Sequence, residues 1–168
     1  MTRRKKTKIM FVCLGNICRS PLAHAVFDHE AATRGAGDLF ETESSGTAAY
    51  HEGEPADARM RETALAHGVR IDHRARHLKK ADLDNYDLIL AMDRANLAGI
   101  LKLAANPQQR EKIRLFRDFD GQAGPDAEVP DPYYGGPEGF EEVFRIADRT
   151  CAGLLDQLLN TAENESDK

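Results

Sequence analysis

The chain has 168 residues, 41% of them hydrophobic, with a formal net charge of −5 and three cysteines. That length suits one compact domain with its own core, and an odd number of cysteines excludes a disulfide framework and points to a reducing compartment, the cytoplasm. The acidic balance argues against nucleic-acid or membrane-surface binding, and no apolar stretch is long enough to span a bilayer.

The chain opens on "MTRRKKTK", and residues 1–7 are expected to form a basic, solvated arm. The apolar stretch "IMFVCL" behind it is too short for a secretory signal. Lys8 to Leu14 has the composition of a buried strand, and a helix starting near Ser20 follows, with Pro21 in its first turn and Leu22, Ala25, Val26 and His29 on one stripe. "LFETESSG" predicts a second strand ending at Ser44 to Gly46, and a helix is expected from Pro55 to Gly68. "YDLILAMD" predicts a third strand, Leu97, Ile100, Leu101 and Ala104 a helical stripe, and "KIRLF" a fourth strand. Phe140, Val143, Phe144, Ala147, Cys151, Leu154, Leu155 and Leu158 mark a long last helix. Residues 161–168, with the sequence "AENESDK" at their end, are expected to be a disordered acidic tail, which leaves 8–160 as the folded domain. The alternation of strand and helix predicts a single-domain α/β sandwich, a central parallel sheet with helices on both faces, whose ligands bind beyond the carboxyl ends of the strands.

"VCLGNICRSP" lies at such an end, between the first strand and the first helix. The backbone N–H groups of Leu14, Gly15, Asn16, Ile17, Cys18, Arg19 and Ser20 can curl inward and, with the helix N-terminus, cradle an oxyanion. Gly15 is expected to supply a backbone turn that most residues resist, and Asn16 tolerates a left-handed conformation. Arg19 adds a planar fork that fits two phosphate oxygens, and the same positive concavity stabilises a thiolate at Cys13 on its floor. The loop is not an ATP-type phosphate loop, which needs Gly-Lys-Ser/Thr, nor a dinucleotide loop, which needs three spaced glycines. Taken without its context, Cys13 would be a buried structural thiol at a strand end.

Displacement by a thiolate needs a proton for the departing oxygen. "VPDPYYGG" offers Asp131, which Pro132 holds in an extended, loop-borne pose, followed by Tyr133 and Tyr134, whose rings can wall the entrance around an aromatic leaving group. Without the cysteine loop the same stretch is an ordinary Asp-Pro turn with two surface tyrosines.

"FVCLGNICRSP" and "DPYYG", with "SSGT", "GEPAD", "HRAR" and "AMDRAN" between them in order, resemble the low-molecular-weight protein tyrosine phosphatase family over nearly the whole chain. The resemblance implies hydrolysis of phosphotyrosine, and of small aryl phosphates, through a cysteinyl-phosphate on a four-stranded parallel sheet, without metal or other cofactor. By position Cys13 resembles the nucleophile, Arg19 the phosphate clamp and Asp131 the acid that later activates water. Ser20 resembles the hydroxyl that stabilises the thiolate, and Asn16, Ser44 and His73 the network that supports the loop. On their own, His73 would be a surface or capping residue and Ser44 a strand-end hydroxyl. Leu14, Tyr50 and His51 would line the entrance. Asp93 and Asn96 in "AMDRAN" are assigned to capping of the next helix, outside the catalytic set.

The implied partners are phosphotyrosine-containing proteins, with inorganic phosphate or vanadate as inhibitors, acting on a monomer with at most weak self-association. Cys18 is either a small packing residue or a thiol that captures oxidised Cys13 as a disulfide. The rival activities are a thiol-dependent arsenate reductase on the same fold, which needs further relay cysteines, and a non-catalytic phosphopeptide-binding module, which has no use for both Cys13 and Asp131.

Overall fold

The structure is a computed structural model that describes residues 5–133 and 135–166. The first four residues of the basic arm, Tyr134 and the last two residues of the tail lie outside it, so the expectations for those positions are not addressed by the fold.

Four strands form one parallel sheet in the order β2-β1-β3-β4, where β1 is Thr7–Cys13, β2 Phe40–Gly46, β3 Leu88–Ala91 and β4 Ile113–Leu115. From Ile9 onward β1 is buried on both faces, which is why its sequence is a continuous apolar run and not an alternating one. Ile9, Phe11 and Cys13 face one layer, made by α1 (Arg19–Thr33), α2 (Ala58–Ala66) and α6 (Pro137–Ser166). Met10 and Val12 face the other, where Leu83 of the short α3 (Asp82–Asn85) and Ile100 of α4 (Arg94–Leu101) cover them. A further short helix, α5 (Pro107–Glu111), precedes β4. The expected sandwich is therefore the observed one, and the Cys13 loop sits at the carboxyl end of its central strand pair.

Several boundaries differ from expectation. Thr7 belongs to β1 and not to the arm, pairing with Phe40 in the β2 register. The first helix buries Leu22, Ala23, Val26, Phe27 and Ala31, while His29 is exposed; the stripe runs through the positions that meet both the sheet and α6. Pro55 does not start α2. The Asp57 carboxylate caps that helix by accepting the N–H groups of Arg59 (2.8 Å) and Met60 (3.4 Å), and Gly68, at φ +82°, follows its end. The tail assignment changes too: α6 continues to Ser166 instead of giving way to disorder near residue 161. Thr161 Oγ1 bonds the Gln157 carbonyl and the following Ala and Glu residues are good helix formers, so nothing stops the helix at the end of its apolar stripe.

α1 and α6 pack along each other and bring Glu30 beside Asp148, with Asp156 and Arg34 nearby. Partial burial and a hydrogen bond shared with Asp148 push Glu30 up from 4.5 to about 7. Because the folded value is the higher one, the proton on Glu30 contributes stability in full below about pH 4.5, and that contribution is lost as the pH rises through 7. The midpoint of urea unfolding is expected to fall between pH 5 and pH 8, and Glu30→Gln to flatten most of that slope; an equal slope in the variant would place the titration elsewhere.

A second ionic cluster positions the segment that leads to Asp131. The Asp120 carboxylate, with no exposed surface, accepts Arg149 Nε (2.8 Å) and Arg117 Nη2 (3.0 Å). These bonds, Arg149's first, hold it down at about 2. Arg117 Nη1 also donates to the Glu128 carbonyl (2.9 Å), and Val129 N–H to the Met92 carbonyl (2.7 Å) at the end of β3. The chain is thereby pinned to the sheet two residues before Asp131.

Candidate active site

Between Cys13 and α1 the backbone folds back on itself, and four of its carbonyls are turned to the surrounding scaffold. Those of Cys13, Leu14 and Ile17 accept the N–H groups of Thr47 (2.9 Å), Ala48 (3.0 Å) and Asp57 (2.7 Å), and that of Asn16 accepts His73 Nε2 (2.7 Å). Among the described residues no backbone carbonyl takes the N–H groups of 14–19, and α1 carries no side-chain cap. A loop with four of its carbonyls taken by the scaffold and its donors left over has the form of an oxyanion cradle at a helix N-terminus.

Its shape depends on one residue in left-handed geometry, Asn16, at φ 59°. The turn expected of Gly15 is not there, since Gly15 lies outside the positive-φ set. What glycine leaves at this position is space: a Cβ at Gly15 would come 2.9 Å from His51 Cδ2, so the His51 ring would have to shift. The Asn16 side chain, fully buried, donates through Nδ2 to Ser20 Oγ (2.8 Å) and Ser44 Oγ (3.0 Å) and accepts Arg76 N–H on Oδ1 (2.9 Å). Since Ser20 Oγ already accepts from Asn16, its own proton is free to point at Cys13 Sγ, 3.0 Å away. The same logic fixes the His73 tautomer. Nε2 donates to a carbonyl, so Nδ1 accepts, at 3.5 Å, from Ser44 Oγ, and burial lowers the ring's tendency to charge. Asn16, Ser20, Ser44 and His73 are thus brought together behind the loop, away from the cavity.

Arg19 is only 4% exposed, and its Nη1 donates to Asp93 Oδ2 (2.7 Å) and to the Val129 carbonyl (3.0 Å). Burial opposes its charge, but Cys13 and Asp93 more than offset that and hold the guanidinium above its ordinary value. Asp93 does cap α4, accepting Asn96 N–H through Oδ1 (2.7 Å), yet its other oxygen aims the arginine. Sequence reasoning left it outside the site; the available signal was its place just beyond β3, the strand that pairs with β1. Arg76 was also missed, and nothing local marks a backbone N–H for that role.

Asp131 lies across the cavity. Its Oδ1 accepts Tyr133 N–H (3.0 Å), and its Oδ2 is 3.8 Å from Arg19 Nη2. The cavity, about 400 Å³, is lined by Cys13, Leu14, Gly15, Ile17, Cys18, Arg19, Tyr50, His51, Asp131 and Tyr133. Leu14, Tyr50 and Tyr133 are exposed at its rim, whereas Tyr134 falls outside the described residues. Cys18 shares the cavity wall with Cys13, but burial, followed by the charge of Asp57, pushes its thiol strongly up. Cys151 is buried in the core, its Sγ 3.4 Å from the Ala23 carbonyl.

Residues 8–164 match the model of the family described as low molecular weight phosphotyrosine protein phosphatase. A low molecular weight protein-tyrosine-phosphatase of Streptomyces coelicolor is 43% identical over 149 residues, which is 88% of this chain and 91% of that protein. The crystal structure of a protein tyrosine phosphatase from Entamoeba histolytica with Hepes in its active site is similar at a TM-score of 0.88 and 38% identity, covering 94% of this chain and 99% of that one. Wzb of Vibrio vulnificus in complex with benzylphosphonate is similar at a TM-score of 0.77 and 30% identity, covering 91% and 99%.

Proposed function

Because this chain belongs to the low molecular weight phosphotyrosine protein phosphatase family, whose members are phosphoric monoester hydrolases, we propose that it hydrolyses phosphotyrosine and small aryl phosphates through a phosphate ester of Cys13. The observation that carries this reading is the convergence of Cys13, Arg19 and Asp131 on one cavity. The leftover N–H groups and the Arg19 fork hold the three non-bridging oxygens, and the Cys13 thiolate attacks phosphorus as the aryl C–O–P linkage breaks at the P–O bond. Asp131 gives its proton to the departing phenol oxygen. In the second half, the Asp131 carboxylate takes a proton from water, the water oxygen attacks phosphorus, and inorganic phosphate leaves as the Cys13 thiolate re-forms.

Tyr50 and Tyr133 at the rim, with Ile17 and Leu14, suit an aromatic ring above the cradle, and the benzylphosphonate carried by the Vibrio relative is a ligand of that kind. The buried position of Cys151 gives no support to a cysteine relay for arsenate reduction, and a binding module would not need Asp131. We place the protein in the cytoplasm, as a monomer acting on phosphotyrosine proteins, with phosphate or vanadate as competitors; among the described residues no helix is long and apolar enough to cross a membrane. Phosphate release from a phosphotyrosine peptide, undiminished by a metal chelator and run beside an arsenate reduction assay, tests the reading. Arsenate reduction without phosphate release would overturn it.

A regulatory role for Cys18 belongs to the same proposal. Peroxide converts the Cys13 thiolate to a sulfenic acid, and the Cys18 thiol displaces its hydroxyl as water, giving a disulfide that dithiothreitol reduces. Since Cys18 holds its proton tightly, capture should be slow and bound phosphate should slow it further. After peroxide, dithiothreitol is expected to restore wild type but not Cys18→Ser. Equal recovery, with no Cys13–Cys18 peptide in a digest, leaves Cys18 as packing only.

A further inference from the structure

One side chain joins the loop that binds phosphate to the loop that carries the acid. The Asp57 N–H donates to the Ile17 carbonyl (2.7 Å), and the Asp57 carboxylate, while capping α2, receives the Arg59 guanidinium as a fork, Nε on Oδ1 (3.2 Å) and Nη2 on Oδ2 (3.0 Å). Held there, the guanidinium lies 5.3 Å from the Tyr133 ring centroid and 4.7 Å from that of Phe140 in the first turn of α6. Both are cation–π distances. Since its fork is occupied by Asp57, Arg59 is not a spare phosphate ligand. Asp131, in turn, is held through its neighbour: Oδ1 accepts the Tyr133 N–H, and the 3.8 Å approach of Oδ2 to Arg19 is too long for a hydrogen bond. Where Tyr133 sits therefore decides where the Asp131 carboxyl points.

We propose that Arg59 is a positioning residue for Asp131, docking the Tyr133 end of the acid loop onto the Asp57 anchor of the phosphate loop. The proposal rests on the reading of Asp131 as general acid, and it assigns the Asp57–Arg59 pair a role beyond capping α2.

The test compares Arg59→Met, which keeps the stem and loses the planar cation, with Arg59→Lys, which keeps the charge and loses the fork. The Asp57 cap uses backbone N–H groups, so α2 keeps it in both variants. For phenyl phosphate, a poor leaving group, kcat of Arg59→Met is expected to fall about tenfold, the scale of losing two cation–π contacts, with KM little changed. For an activated dinitrophenyl phosphate the loss should be under about twofold. Arg59→Lys should recover part of the loss. In the Asp131→Ala background Arg59→Met should cost nothing further on phenyl phosphate, because the group it positions is gone. Equal losses on both substrates, or full additivity with Asp131→Ala, overturn the proposal. Amide hydrogen exchange at Tyr133 and Gly135 provides a second readout that does not depend on catalysis. Faster exchange at these two amides in Arg59→Met supports docking, and unchanged exchange overturns it. If Asp131→Ala itself proves indifferent to the leaving group, the acid assignment fails, and the exchange rates still decide whether Arg59 docks this loop.

Discussion

Cys13→Ser is expected to reduce turnover by at least about 10⁵-fold, the scale on which enzymes respond to losing a covalent nucleophile, while inorganic phosphate continues to bind. The two effects separate because different groups perform them. In the proposed mechanism phosphate is held by the leftover N–H groups of the loop and by Arg19, none of which depends on the sulfur, whereas displacement at phosphorus needs a thiolate that a serine hydroxyl does not replace at neutral pH. Arg19→Lys should lose binding together with turnover. A lysine cannot donate at once to Asp93 and the Val129 carbonyl, as Nη1 does at 2.7 and 3.0 Å, and also present a planar fork to the ligand. Phosphate binding is measured by calorimetry and turnover with phosphotyrosine. Rapid-quench trapping of wild type should find phosphate on Cys13, and its appearance on any other residue would sink the covalent mechanism.

The second large effect belongs to Asp131→Ala, expected to slow substrates with poor leaving groups by about 10²- to 10⁴-fold, the usual worth of a positioned acid. Activated aryl phosphates should lose much less, because their phenolates depart without a proton. The alanine variant keeps the cradle intact, so KM for both kinds of substrate should change little. A plot of log kcat against leaving-group basicity should be shallow in wild type and steep in the variant. Parallel lines would move the acid to another residue, and within reach of this cavity the structure offers His51 as the group to test next.

How much of this was legible without the structure depends on sequence separation. Cys13 and Arg19, one loop apart between a strand and a helix N-terminus, suggest an oxyanion cradle from local context, and Asn16 is one of the few residues that accept the φ of 59° found there. Helix ends were less legible. Pro55 resembles a first-turn proline, but α2 waits for the Asp57 carboxylate, and α6 runs past its apolar stripe because no capping or breaking residue ends it. Gly15 suggests a turn in the sequence, whereas in the structure its φ is not positive and the His51 ring lies against it.

The amino-acid sequence by itself determined the strand–loop–helix unit, the placing of Cys13 and Arg19 at the two ends of its loop, and the alternation that makes a parallel sheet, because each is set by contacts within a few residues and by periods of two and 3.6. The resemblance named Asp131, Ser44 and His73 across the chain, but only the tertiary structure decided that Asp93, the Val129 carbonyl and Arg76 join them. Asp93 reaches Arg19 across 74 residues because β1 and β3 are neighbours in register, Val12 beside Ala91, so the segments that leave their ends must meet. The Val129 carbonyl arrives across 110 residues because its own N–H is bonded to the Met92 carbonyl at the end of β3, while Arg117, held by Asp120 just after β4, takes the neighbouring Glu128 carbonyl. Nor does any local pattern single out Arg59 among the chain's arginines. Its role comes from standing where the start of α2, the Tyr133 turn and the first turn of α6 converge, and that is a property of packing between layers.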